Sequence, residues 1–217
     1  MDSPISAVAF DMDGLMFNTE SVYYQVGCRL MQRRGCIFTK ELSDAVTGAS
    51  PKRSFETMIA WHDLRDTTWQ ELHRESEETF FELLDATLAF MPGLMPLLEF
   101  LERKQIPKAI CTGSSRRVLE GVLGRFGLEP RFDFTITSDD VTHGKPHPEI
   151  YLKAAERFGV SPERMLVLED SEAGCNAGAN AGAFIVAVPG EHSKHMDFSR
   201  AKMVLTGLDD PRIYEIL

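Results

Sequence analysis

Asp11 and Asp13 follow directly on the apolar run Ala7-Val8-Ala9-Phe10, two carboxylates one residue apart at the end of a strand candidate. Setting a buried strand end beside two acids is costly unless a cation or a proton balances them. A turn after the strand accounts for Asp13-Gly14 and for nothing else. Three further features stand downstream: Thr112 and the pair Glu169-Asp170, each closing an apolar run of its own, and Lys145 before Pro146 in a loop. Acid, hydroxyl, ammonium and acid again are the groups that phosphoryl transfer with a divalent cation requires.

The roles follow from the chemistry of each group. Asp11 is the natural nucleophile, since a carboxylate at a strand end can form an aspartyl-phosphate and split the displacement in two. Asp13, two residues on, can protonate the leaving oxygen as general acid and then activate the attacking water or alcohol as base. Glu169 and Asp170, with Asp11 and the backbone carbonyl of Asp13, form an oxygen set that suits Mg²⁺. Lys145 would neutralise both Asp11 and the transferring phosphoryl group. Thr112, with the amides around Gly113 and Ser114, would hold the phosphate oxygens.

Each part has a plainer explanation on its own. Thr112-Gly113-Ser114-Ser115 also fits a helix N-cap, Glu169-Asp170-Ser171 an acidic helix start, and Lys145 a solvated loop lysine. Their order and placement together carry the signal.

The elements that must position these residues are legible as periodicity. From about residue 94 onward, strand and helix patterns alternate. Strand candidates are 107–111, 132–136, 165–168 and 184–188, with Met203-Val204-Leu205 a further one. Helix candidates are 118–126, 150–158 and 172–181. This alternation indicates an α/β fold, a doubly wound parallel sheet whose right-handed crossovers gather the strand ends on one edge, where such sheets bind ligands.

Residues 16–91 break the alternation. They carry helix signals only: an apolar face Val22, Tyr23, Val26, Leu30; Ser50-Pro51 as N-cap and first helical position; and a capping box at Thr68-Trp69-Gln70-Glu71. Glu75, Glu77, Glu78 and Glu82 read as a solvated helix face. The division is a core of residues 1–15 and 92–217 with a helical cap of residues 16–91 inserted after the first strand.

Composition narrows the class. The 217-residue chain is 43% hydrophobic and 26% charged, so a packed core is expected. A formal net charge of −10 argues against nucleic-acid or anionic-membrane partners. Cys28, Cys36, Cys111 and Cys175 have no metal-ligand spacing and read as free thiols. The start Met1-Asp2-Ser3-Pro4 leaves no room for a signal peptide, and no apolar stretch is long enough to cross a bilayer. A cytoplasmic protein is expected, and a monomer, as no heptad seam is present. His192 and His195 have metal-ligand spacing but lie in a polar stretch far from the acidic motifs. Gly174, Gly178 and Gly182 read as a close-packing helix face.

Taken together, Phe10-Asp11-Met12-Asp13-Gly14-Leu15, Thr112-Gly113-Ser114, Gly144-Lys145-Pro146-His147-Pro148 and Leu168-Glu169-Asp170-Ser171 resemble the haloacid dehalogenase superfamily over nearly the whole chain. The likeness is to the capped subgroup that includes beta-phosphoglucomutase and pseudouridine-5'-phosphatase. It implies a Rossmann-like core, a cap that opens and closes over substrate, Mg²⁺, and the residue roles reached above. Two positions depart from the pattern. Asn18-Thr19-Glu20 carries Asn where relatives commonly have Asp. In Gly48-Ala49-Ser50-Pro51-Lys52-Arg53, Pro51 stands where mutase-like relatives place an arginine for a second phosphate, with Lys52 and Arg53 just beyond as candidate specificity residues.

Three functions remain open at this point. One is a phosphatase of a small phosphate monoester, a sugar or nucleoside monophosphate. The second is a phosphomutase in which a sugar hydroxyl accepts the phosphoryl group. The third is a non-enzymatic phospho-Asp signalling module. The absent arginine favours hydrolysis, and the helical insert fits a substrate lid better than a signalling surface.

Overall fold

The structure, a computed structural model, describes residues 5–217, side chains at 85–87 excepted. The opening Met1-Asp2-Ser3-Pro4, read above for a leader, lies outside the described residues. In chain order, β1 (Ala7–Phe10) is followed by α1 (Thr19–Gln32), α2 (Lys40–Val46), α3 (Pro51–His62) and α4 (Trp69–Thr87). Then come α5 (Leu94–Arg103), β2 (Lys108–Cys111), α6 (Arg116–Gly124), β3 (Phe134–Ile136) and α7 (Glu149–Phe158). The chain ends with β4 (Met165–Glu169), α8 (Glu172–Ala181), β5 (Phe184–Ala187), β6 (Met203–Val204) and α9 (Pro211–Ile216).

These elements form two compact units, one of residues up to Phe17 and from Phe90 onward, the other of Asn18–Ala89. The division falls two residues inside the bounds drawn from periodicity. Phe17, Phe90 and Phe126 explain the shift: their rings lie 4.3–5.7 Å apart, centroid to centroid, and tie both flanks into the first unit.

In the first unit, all six strands run parallel in the order β3-β2-β1-β4-β5-β6. The chain leaves β1 toward β2 and β3, then returns to build β4, β5 and β6 on the other side. The switch point is therefore between β1 and β4, where doubly wound sheets open a crevice at their carboxyl ends. The central strands are wholly buried and, apart from Lys108 and Glu169 at their ends, apolar on both faces, as a sheet covered on both sides requires. One face carries Ala9, Cys111, Val167 and Ile185, packed with Ile150, Tyr151, Ala154 and Ala155 of α7 and Cys175, Ala177 and Ala181 of α8. Val8, Phe10, Ile110, Leu166 and Val186 alternate with these along the strands and are buried on the opposite face.

The third strand is shorter than the apolar run suggests. Phe132 and Asp133 lie before it, because Asp133 turns its backbone N–H to the Lys108 carbonyl and its side chain to the Lys108 N–H. His192 and His195 lie in a succession of turns instead of a helix, so helical i, i+3 spacing does not apply to them.

The second unit is a helical bundle in which α4 packs on α1 and α3, and α2 on α3. The Thr68 capping box of α4 is present, with Thr68 Oγ1 accepting from Glu71 N and Glu71 returning to Thr68 N. Ser50 precedes Pro51 at the start of α3 without a side-chain cap. The reading of Glu75 as solvated is corrected here. It forms a bidentate pair with Arg34 at 2.7 and 3.0 Å, across the α1–α4 contact, so part of that acidic face holds helices together.

No described helix is long and apolar enough to cross a membrane.

Candidate active site

Asp11 is the first residue past β1, and its N–H still bonds the Leu168 carbonyl of β4 at 3.0 Å. The sheet register thus sets Asp11 beside the end of β4, where Glu169 is the last residue and Asp170 the next. All three side chains are buried. Their carboxylate oxygens lie within 4.8 Å of one another.

Lys145 comes to the same point from the loop that precedes α7. Its ammonium donates to Asp11 Oδ1 at 2.5 Å, Glu169 Oε1 at 2.6 Å and the Cys111 carbonyl at 2.9 Å. An ammonium has three N–H donors, and here each meets an acceptor. Lys145 is therefore held as a fixed point charge. Burial alone would lower its pKa; the Asp11 and Glu169 charges overcome burial and hold it above the ordinary lysine value.

Asp13, at the entry to the turn, is met from β2. Ser114 Oγ and Thr112 Oγ1 both donate to Asp13 Oδ2, at 2.7 and 3.2 Å. Ser114 N in turn donates to Thr112 Oγ1 at 3.0 Å. The N-cap reading of this segment also holds, through Ser115, whose hydroxyl accepts from Val118 N at the start of α6. Gly113 faces open space, and a Cβ there would meet nothing within 4 Å.

The structure thus brings together Asp11, Asp13, Thr112, Ser114, Lys145, Glu169 and Asp170. Lys52 and Arg53 stand in the first turn of α3, in the helical unit. Lys52 faces Glu56 at 3.8 Å, both exposed, and Arg53 lines an open cavity of about 490 Å³ with Glu56, Thr57, Ala60 and Trp61.

Three further residues complete the site: Tyr151 carries no signal in the linear sequence, while Ser171 ends the Leu168-Glu169-Asp170-Ser171 run and Gly174 belongs to the spaced glycines. Tyr151, on α7, donates its hydroxyl to Glu169 Oε1 at 2.7 Å. Burial and the Glu169 and Asp11 charges push its phenol well above the ordinary value, so it stays a donor. Ser171, the N-cap of α8, gives both its N–H and its hydroxyl to Glu169 Oε2, at 3.2 and 3.0 Å. Gly174 is a close-packing position, as its spacing suggests, and what it packs against is the site: a Cβ there would overlap the Glu169 carboxylate. Gly178 keeps the close-packing role, against Ile185 and Val167.

The donor set fits a divalent cation. Asp11 and Glu169 share the Lys145 ammonium, and Asp170 offers a third carboxylate beside them. Burial raises the Asp11 carboxyl to about 8, against the pull of Lys145 and with Glu169 and Asp13 adding to it. A group of acids with one counter-charge takes up protons unless a cation supplies the missing charge. Carboxylate oxygens without sulfur or imidazole suit Mg²⁺ over softer ions. The cysteine beside the site offers no alternative nucleophile, because burial pushes the Cys111 thiol up to about 12.

Comparison with known proteins agrees with the fold and the site. Residues 5–182 match the haloacid dehalogenase-like hydrolase family. The chain belongs to that family, and is an enzyme of the phosphoric monoester hydrolase class, which removes the signalling-module alternative. It is 34% identical over 181 residues to a phosphorylated carbohydrates phosphatase of Thermotoga maritima, covering 82% of each chain. It is 30% identical over 212 residues to a probable pseudouridine-5'-phosphatase of Drosophila melanogaster, covering 95% of this chain and 91% of that one. Among solved structures, CbbY from Rhodobacter sphaeroides in complex with phosphate is similar at a TM-score of 0.83 and 27% identity, over 95% of this chain and 96% of that one.

Proposed function

We propose that this enzyme is a Mg²⁺-dependent phosphatase of a small phosphate monoester, working through an aspartyl-phosphate on Asp11. The observation that carries the reading is the junction of Lys145 with Asp11 on one side and of Thr112 and Ser114 with Asp13 on the other. Lys145, Asp11 and Glu169 form one hydrogen-bonded group and Asp13, Thr112 and Ser114 another, which supports reading them as counter-charge and nucleophile on one side and acid/base and phosphate-binding hydroxyls on the other.

In the first step an Asp11 carboxylate oxygen attacks phosphorus, the ester P–O bond breaks, and Asp13 gives its proton to the leaving oxygen. In the second, Asp13 takes a proton from water, the water oxygen attacks the phosphoaspartyl phosphorus, and the Asp11–phosphorus bond breaks to release inorganic phosphate. Lys145 pulls Asp11 toward its ionised form, which a bound cation would complete, and offsets charge on the phosphoryl oxygens. As substrate phosphate enters, Thr112 and Ser114 can turn their hydroxyls from Asp13 to its oxygens, which frees Asp13 Oδ2 for the proton. Asp11, Asp170 and the Asp13 carbonyl, with Glu169 beside them, would hold Mg²⁺. Bound there, the ion would supply charge neutralisation for the transferring group.

The helical unit is read as the cap, with Lys52 and Arg53 as specificity residues. The carbohydrate-phosphate and pseudouridine phosphatase relatives support a sugar or nucleoside monophosphate as substrate. The test is inorganic phosphate release from a panel of such esters, with and without Mg²⁺. Metal-dependent release by the wild type, lost on Asp11→Ala, is the expected result. No release from any member, with a bisphosphate-primed sugar phosphate isomerised instead, would replace the phosphatase with a mutase.

A further inference from the structure

Glu169 is fully buried, and the protein's own donors enclose its carboxylate. Oε2 accepts from Asp170 N, Ser171 N and Ser171 Oγ at 3.0–3.2 Å. Oε1 accepts from Lys145 Nζ at 2.6 Å and Tyr151 Oη at 2.7 Å. A carboxylate offers about four lone-pair sites. Glu169 is therefore saturated before any cation is considered, and its main work is to hold Lys145.

Tyr151 is the residue that touches both halves of this pair. Its hydroxyl is on Glu169, and the Lys145 ammonium lies over its ring at 5.3 Å from the centroid. The ring is completely buried and packed in the core between α7 and the sheet, so its place is not adjustable. An electron-rich face under an ammonium and a donor on the competing acceptor act in the same direction.

We propose that Tyr151 is a positioning residue for Lys145: by donating to Glu169 Oε1 and supporting the ammonium from its ring face, it keeps Lys145 shared between Glu169 and Asp11. Without the hydroxyl, Glu169 Oε1 has Lys145 as its single donor and draws the ammonium away from the nucleophile. Tyr151 is fully buried and acts through Glu169 and Lys145. The inference rests on the phosphatase reading, in which Lys145 serves Asp11.

Tyr151→Phe removes the hydroxyl and leaves the ring. The expected result is a fall in kcat of about tenfold, the size of one lost hydrogen bond to a charged group, with KM unchanged. Tyr151→Leu, which also removes the ring face, lowers kcat further, and Tyr151→Phe in a Lys145→Ala background costs nothing more. An unchanged kcat in Tyr151→Phe overturns the inference. So does an equal loss with and without Lys145, which is what a merely structural tyrosine would give.

The same cycle read as urea unfolding constants decides the matter where Lys145→Ala turns over too slowly to measure. It also separates the two proposals if the wild type releases no phosphate at all, an outcome that ends the phosphatase reading alone. Non-additivity of about tenfold in the unfolding constant between Tyr151→Phe and Lys145→Ala then upholds the positioning role, and additivity overturns it.

Discussion

Gly174 and Glu169 compete for one volume: the carboxylate occupies the space where a side chain on residue 174 would begin. The first turn of α8 is therefore shaped around the charge at the end of β4. Gly174→Ala forces either the carboxylate or the helix to move. Overpacking of this kind costs about 1–3 kcal/mol, and a shifted Glu169 releases Lys145. The expected outcome is a lower urea midpoint together with reduced phosphate release. Normal activity in a folded Gly174→Ala protein would mean that Glu169 can move without consequence for Lys145.

Asp13→Asn keeps an acceptor for Thr112 and Ser114 but has no proton to give and none to take. Phosphate release should fall by about 10²–10⁴, the range for loss of general acid–base catalysis. Circular dichroism and the unfolding midpoint should stay near wild type. Near-normal release by this variant would remove Asp13 from the chemistry.

Asp170 offers a carboxylate oxygen to the acidic cluster, and the Glu169 carboxylate is enclosed by protein donors. Chelation of the wild type should abolish turnover, and added Mg²⁺ should restore it. Asp170→Asn should raise the Mg²⁺ concentration for half-maximal activity by at least about tenfold, a loss of the order seen when metal sites lose supporting groups. An unshifted Mg²⁺ dependence would show that the ion is held elsewhere.

Glu149 pins the segment that leads into Lys145. It accepts from Lys153 at 2.7 Å and from the N–H groups of Thr142 and His143 at 3.0 and 2.9 Å. Lys153, then those two amides, hold its carboxyl down to about 2, from 4.5 in the unfolded chain. A depressed folded pKa contributes stability above the unfolded value, and that contribution is lost as pH falls toward the folded one. The difference in melting temperature between wild type and Glu149→Gln should thus be constant from neutral pH to about 5 and shrink steadily below about 4.5. A difference that does not narrow in acid would rule out the carboxylate as the anchor.

The fold was largely legible because its signals are local. A buried parallel strand is a nearly continuous apolar run, so β1, β2, β4 and β5 announce themselves, and the acids or hydroxyl at the ends of β1, β2 and β4 mark the sheet's carboxyl edge. The errors fall where a side chain overrides the pattern. Asp133 is drawn to the Lys108 backbone, which shortens β3. Glu75 faces Arg34, where helical periodicity alone sees a charge among solvated charges.

Residue type and order alone determined which groups could do chemistry here and on which kind of sheet edge they would stand. Tertiary structure decided how those groups are shared. That Lys145 divides itself among Asp11, Glu169 and the Cys111 carbonyl depends on side-chain reach from three separate elements. That Tyr151 and Gly174 belong to the site depends on α7 and α8 packing against one face of the sheet. Such contacts join residues that are distant in sequence, and no local spacing encodes the distance between them.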